Sequence, residues 1–362
     1  MKTRNSNYEL MRIVSMFLIV LYHALLHGNV INNSTGNLKI FFELLEFMTL
    51  VHVNSFVLLS GYFQVDSKFK QSKVWSITNS CIFYKGLVII IFSLFGIMTF
   101  SKTTIFQELF PLNLTEYWFI KYYLFLYCLS PFINKAISNF DKKTFKKLLI
   151  LMIVIFSIIP IMTGNQGFEN TGYTFLQFTY LYLIGAYFKK FPITIKRTKL
   201  LLIFIVSIIL NYLIYKLTFK VQGINNLIDW FSNNIKLFSI YYSNPFVMIQ
   251  SIAYFLLFGT FKFRNKLINK LASLCFGVYL IHDNIIVRGY IYRWLKIDNG
   301  LINNISYVFY LILIVLLIYI VCSLIEYIRQ VIFKFIYDRK ISLKIRNKYY
   351  EYLNKLKIKY GL

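Results

Sequence analysis

The chain has 362 residues, 58% hydrophobic and 19% aromatic but only 15% charged. A soluble domain of this length carries about a quarter charged residues, so the composition excludes an ordinary soluble fold. The formal charge of +26 does not mark a nucleic-acid binder. The cations sit in separate short loops between apolar blocks, where anionic lipid headgroups and an anionic cofactor are the fitting partners.

About ten apolar segments succeed one another, at 9–28, 40–63, 76–100, 117–134, 147–163, 172–188, 200–219, 241–260, 271–295 and 302–328. A helix of about 20 residues crosses the hydrocarbon core, and irregular backbone cannot face lipid, so the segments are expected to be transmembrane helices. Alternate connections are rich in cations. One carries Lys68, Lys70 and Lys73; the next Lys142, Lys143, Lys146 and Lys147; then Lys189, Lys190, Lys196 and Arg197; then Lys262, Arg264, Lys266 and Lys270. The connections between these are poor in Lys and Arg. The alternation predicts an even number of crossings with both termini cytoplasmic. The fold class expected is therefore an all-α polytopic membrane protein.

Residues 1–333 read as one membrane domain. Residues 334–362 form a basic tail with interleaved tyrosines, expected as a helix lying on the inner leaflet or else a disordered arm. The amino terminus resembles a signal sequence, yet no small-residue cleavage site comes after it, so the first segment is expected to be retained. The outer connection from Lys220 to Ile240 has room for a surface helix around Trp230. Cys81, Cys128, Cys275 and Cys322 each lie inside an apolar block without ligand spacing, so they read as core residues and no metal site is expected.

Ionisable residues inside these segments are the informative ones, because placing them in a bilayer costs a few kcal/mol or more and they mark function. The first segment holds Arg12 and His23. Eleven residues make about three turns, which puts both on one helix face about 16 Å apart along the axis. One helix thus offers a cation near one membrane surface and a proton-transfer group much deeper. Each residue also has a plainer reading, as a headgroup anchor and as a packed, hydrogen-bonded histidine. Glu9 is placed to pair with Arg12, and His27 lies one turn beyond His23. The second segment carries Glu43, Glu46 and His52, then the small pair Ser60-Gly61, which suits close helix packing. Lys85 and Lys121 lie in the third and fourth segments and either line the interior or snorkel. Glu116 precedes the fourth, where a carboxylate complements the helix dipole or orients an imidazole. His282 and Asp283 sit together in the ninth segment, and both need partners.

Tyr8-Glu9-Leu10-Met11-Arg12 leading to His23 resembles the R-x10-H signature of the membrane-bound acyltransferase 3 family. FVLLSGYF, YWFIKYYLFLYCLSPFIN and SLCFGVYLIHDN resemble, in the same order, three further blocks of that family. The resemblance covers nearly the whole chain. It implies an O-acyltransferase of the bacterial plasma membrane, moving an acetyl group from cytoplasmic acetyl-CoA to a cell-envelope glycan or its lipid-linked precursor. The chain ends soon after its last segment, so the stand-alone form is expected, without an SGNH domain. His23, Glu116 and His282 become the catalytic candidates. Arg12, Ser60, Gly61 and Lys121 become the candidates for holding acyl-CoA.

In this reading Arg12 and nearby loop cations hold a CoA phosphate through charge-assisted hydrogen bonds. The pantetheine arm climbs inside the bundle to His23. His23 then takes a proton from the acceptor hydroxyl, or itself accepts the acyl group. Either route needs an unprotonated ring. The competing reading from another class is a polysaccharide carrier or flippase without bond chemistry. A carrier is expected to show two similar halves, and none is visible.

Overall fold

A computed structural model of the chain describes residues 5–110, 117–164, 172–297, 300 and 302–337. Among these residues the protein is helical and has no strands. The main helices are α1 (Asn7–His27), α2 (Gly36–Gln64), α3 (Gln71–Leu94), α4 (Trp118–Ala136), α5 (Lys142–Thr163) and α6 (Phe175–Lys190). Next come α7 (Arg197–Val221), α8 (Asn226–Ser239), α9 (Pro245–Gly259), α10 (Lys266–His282), α11 (Ile285–Trp294) and α12 (Ser306–Tyr337). Helix α8 is the surface helix expected around Trp230. Glu116 and the tail beyond Tyr337 lie outside the described residues.

Six helices, α1, α2, α3, α5, α7 and α12, have the length and apolar composition of membrane spans, and the count becomes seven if α10 and α11 are one bent span. The protein is a multi-pass membrane protein. Nine of the ten expected segments each overlap one helix, among them α4, α6 and α9, which are shorter or more polar than the six; the expected segment 271–295 is instead two helices, α10 and α11.

Burial separates the bundle's centre from its rim. In the most apolar stretch of α2, 72% is buried, and in α1 56%, against 17% in α5 and 28% in α7 and α12. Leu313, Leu317, Ile320 and Leu324 form an exposed stripe on α12 at helical spacing, the face that lipid covers. Helix α2 crosses α6 through reciprocal glycines. A side chain at Gly61 would overlap the Tyr182 carbonyl, and one at Gly185 would overlap the Leu58 carbonyl. Only backbone fits at such a crossing.

Two interruptions shape the interior. Helix α2 is broken at Leu50, between helical runs Gly36–Thr49 and Val51–Gln64. The Gln250 side chain of α9 supports the break, donating to the carbonyls of Phe47 and Met48 at 3.1 and 3.2 Å. Helices α10 and α11 meet at an angle of 86°. There the buried Asn284 caps α11 by accepting from Ile286 N–H at 3.1 Å and Val287 N–H at 3.3 Å. Its amide donates to Tyr117 Oη at 3.2 Å, and that hydroxyl donates to the Leu280 carbonyl at 2.9 Å. The bend therefore ends α10 inside the bundle, with His282 and Asp283 at its tip.

Candidate active site

Helix α1 carries Arg12 and His23 along the wall of one cavity of about 570 Å³. The same wall includes His27, His52, Ser60, Lys73, Asp283 and Arg288, with an aromatic lining of Trp118, Tyr123, Tyr173 and Tyr242. Helical periodicity places the first two on one face, and the central burial of α1 turns that face inward.

The end of the cavity near Arg12 opens into a smaller recess of about 260 Å³ that also includes Ser60, Lys68, Lys70, Lys73 and Tyr127. Arg12 Nη1 donates to both carboxylate oxygens of Glu9, at 3.0 and 3.1 Å. Lys73 Nζ donates to Tyr123 Oη at 2.7 Å and stands 4.4 Å from the Tyr127 ring centre. This mouth is strongly cationic, lined with aromatic rings, and supplied by α1, α2, α3 and α4 together. It suits a phosphate-bearing ligand with an apolar arm.

Deeper in the cavity the hydrogen bonds define the state of His23. His282 Nδ1 donates to the Val278 carbonyl at 2.6 Å. In a neutral ring that leaves His282 Nε2 as an acceptor. It lies 3.1 Å from His23 Nδ1, which therefore carries the proton and donates it. His23 Nε2 is left as a bare lone pair, free for general-base work. The Asp283 carboxylate lies 3.5 Å from the same Nδ1 and accepts from Arg288 Nη1 at 2.9 Å. An imidazole held from behind by acceptors is oriented, and its protonated form is stabilised. The bend between α10 and α11 brings both partners to His23.

His52 lies at the start of the second run of α2 and is buried. Its Nδ1 accepts the Val53 N–H at 2.9 Å, so the neutral ring presents Nε2–H as a donor. Tyr22 meets the ring edge-on, with centres 5.1 Å apart, and Tyr242 lies 5.5 Å away. A fixed N–H donor in the same cavity as the base suits a developing oxyanion.

The chain matches the family model described as an acyltransferase domain, that of acyltransferase 3, over residues 5–325. It belongs to the acyltransferase 3 family. Searches of curated proteins and of solved structures find no match.

This membrane acyltransferase brings together Arg12, His23, His282 and Ser60 of the residues singled out from its sequence. The first two and Ser60 line the cavity, and His282 stands directly behind His23. Ser60 Oγ donates to the Phe56 carbonyl of its own helix at 2.9 Å. Gly61 is spent on the crossing with α6. Lys121 lies apart from the cavity, its ammonium 4.7 Å from the Tyr122 ring centre. Lys121 and Tyr123 are two residues apart, about 200° around α4, so Tyr123 takes the cavity side. Lys85 of α3 forms an ion pair with Glu108 at 2.9 Å.

His52, Lys73, Asp283, Arg288 and Tyr123 join the site without having been chosen from the sequence. Arg288 carried a usable signal, a cation within the apolar run 285–292. Asp283 was visible as a buried polar neighbour of His282. Among the described residues no group of three or more His, Cys, Asp or Glu is placed to hold a metal ion.

Proposed function

We propose that this acyltransferase moves an acetyl group from cytoplasmic acetyl-CoA to a hydroxyl of a cell-surface polysaccharide or its lipid-linked precursor, in the bacterial plasma membrane. The observation that carries the reading is that Arg12 and His23 line one cavity. In the topology expected from the loop charges, with ten crossings and both termini cytoplasmic, Arg12 lies at the inner face and His23 in the outer half. The CoA phosphates then rest against Arg12 and Lys73, and the pantetheine arm runs along the aromatic wall to the thioester.

The chemistry balances on one proton. His23 Nε2 takes it from the acceptor hydroxyl, and the alkoxide oxygen bonds to the thioester carbonyl carbon. Asp283 and His282 hold the imidazolium that forms. His52 Nε2–H stabilises the carbonyl oxygen as it gains charge. The C–S bond breaks, and the CoA sulfur leaves with the proton that His23 carried. The products are the O-acetyl ester and free CoA.

Purified protein in lipid vesicles, given acetyl-CoA and a glycan acceptor, is expected to release CoA and form the ester. Movement of the glycan without CoA release would replace this reading by that of a carrier.

A further inference from the structure

The far end of the cavity, away from Arg12, continues into a separate recess of about 420 Å³. His27 and Arg288 line both spaces. The recess is walled mainly by α11 and the turn at Lys296, and its functional groups are Arg288, Tyr292, Arg293 and Lys296 with His27. Arg288 and Tyr292 are four residues apart on one face of α11, and Lys296 follows in the turn after the helix ends at Trp294. Arg288 donates one N–H to Asp283 and keeps the rest of its fork. Arg293 and Lys296 are exposed and form no ion pair with another described residue.

Two further details shape the walls of the recess. Tyr292 lines the recess and is only 3% exposed, yet its hydroxyl has no hydrogen-bond partner among the described residues. Its ring lies 5.8 Å from that of His27, which lies 5.5 Å from that of His23. Lys296, with a φ of +49°, ends α11 in a Schellman turn: Ile297 N–H donates to the Tyr292 carbonyl at 3.1 Å and Lys296 N–H to the Arg293 carbonyl at 3.0 Å. That turn carries the Lys296 side chain to the wall of the recess.

We infer that this recess binds an oxyanion carried by the acceptor, a phosphate or a carboxylate, and so selects charged glycans. The inference rests on the acetyl-transfer reading and adds the acceptor's charge to it. Arg293 and Lys296 hold the oxyanion through charge-assisted hydrogen bonds. The hydroxyl to be acetylated extends past His27 to His23.

The test uses the full chain in vesicles, with acetyl-CoA and three acceptors: a polyprenyl-diphosphate-linked oligosaccharide, a uronic-acid polysaccharide and a neutral polysaccharide. In R293Q/K296Q the KM for a charged acceptor is expected to rise roughly 10-fold, with the KM for acetyl-CoA and the kcat unchanged. R293K is expected to restore part of the loss. Preference for the diphosphate-linked probe identifies the oxyanion as that of the lipid carrier, and preference for the uronic acid places it on the polymer. Equal use of the neutral acceptor with no effect of R293Q/K296Q would overturn the inference and leave acetyl transfer standing. A raised KM for acetyl-CoA would also overturn it, by making this the donor site. If no acceptor releases CoA, acetyl transfer itself fails. Equilibrium binding of the diphosphate-linked probe without acetyl-CoA then decides the recess alone, and binding unchanged by R293Q/K296Q refutes it.

Discussion

Replacing Asp283 by Asn keeps the shape of the site and removes one negative charge behind the base. The carboxylate lies 3.5 Å from His23 Nδ1. At that distance two unit charges attract by about 5 kcal/mol at an effective dielectric of about 20. Arg288, at 2.9 Å from the same carboxylate, offsets much of this. On the order of 1–3 kcal/mol remains for stabilising the imidazolium, and it acts only after the proton has moved. The expected result for D283N is therefore a fall in kcat of roughly 10–100-fold, with the KM for acetyl-CoA unchanged. The assay is steady-state CoA release from vesicles, read with a thiol reagent. Asn also leaves the Arg288 charge stranded near His23, which by itself disfavours the imidazolium. D283N/R288Q separates the two effects: recovery to the wild-type rate assigns the loss to the stranded cation. Full wild-type turnover in D283N would refute the positioning role.

Arg12→Ala is expected to raise the KM for acetyl-CoA by roughly 10-fold while the acceptor KM holds, because it removes a phosphate contact far from the reacting atoms; titration of each substrate in turn checks this. His52→Ala is expected to lower kcat by about 10²-fold with both KM values intact, the mark of a group that acts on the developing oxyanion; a change in KM alone would assign it to binding. Gly61→Val is expected to destabilise the fold by about 1–3 kcal/mol, seen as a lower thermal midpoint in detergent, since the new side chain meets the Tyr182 carbonyl. Lys121→Ala is expected to leave both kinetic constants within about 2-fold, since it lies apart from the cavity; a raised KM for acetyl-CoA would restore Lys121 to the donor site.

Some of this site is legible in the sequence because membrane physics makes ionisable residues conspicuous. Arg12 and His23 stand out in an apolar run, and their spacing alone places them on one face. His282 and Asp283 stand out as adjacent polar groups that both need partners. The link between the two pairs is not legible. The bend between α10 and α11 turns on Asn284, in a stretch whose apolar character continues on both sides. The break in α2 at Leu50 has no proline or glycine to announce it. Its support comes from Gln250, 203 positions beyond the Phe47 carbonyl that it bonds. His52 therefore reads as one more polar residue in a span until α9 is packed against it. The Ser60-Gly61 pair shows the converse. Adjacent in a motif, the two part in space, the serine to the cavity and the glycine to the helix crossing. Lys121 and Tyr123 part in the same way, because two residues on a helix look in nearly opposite directions.

The most direct test of a single passage from Arg12 to His23 is transfer across a sealed membrane. Vesicles holding a glycan acceptor inside are given acetyl-CoA outside, with the protein inserted so that Arg12 faces the donor. Acetylated glycan is expected to appear inside the vesicle while CoA is released outside, and H23A is expected to yield neither although it inserts normally. Acetylation of the trapped glycan by H23A at the wild-type rate would contradict the account, as would transfer only when donor and acceptor share one side.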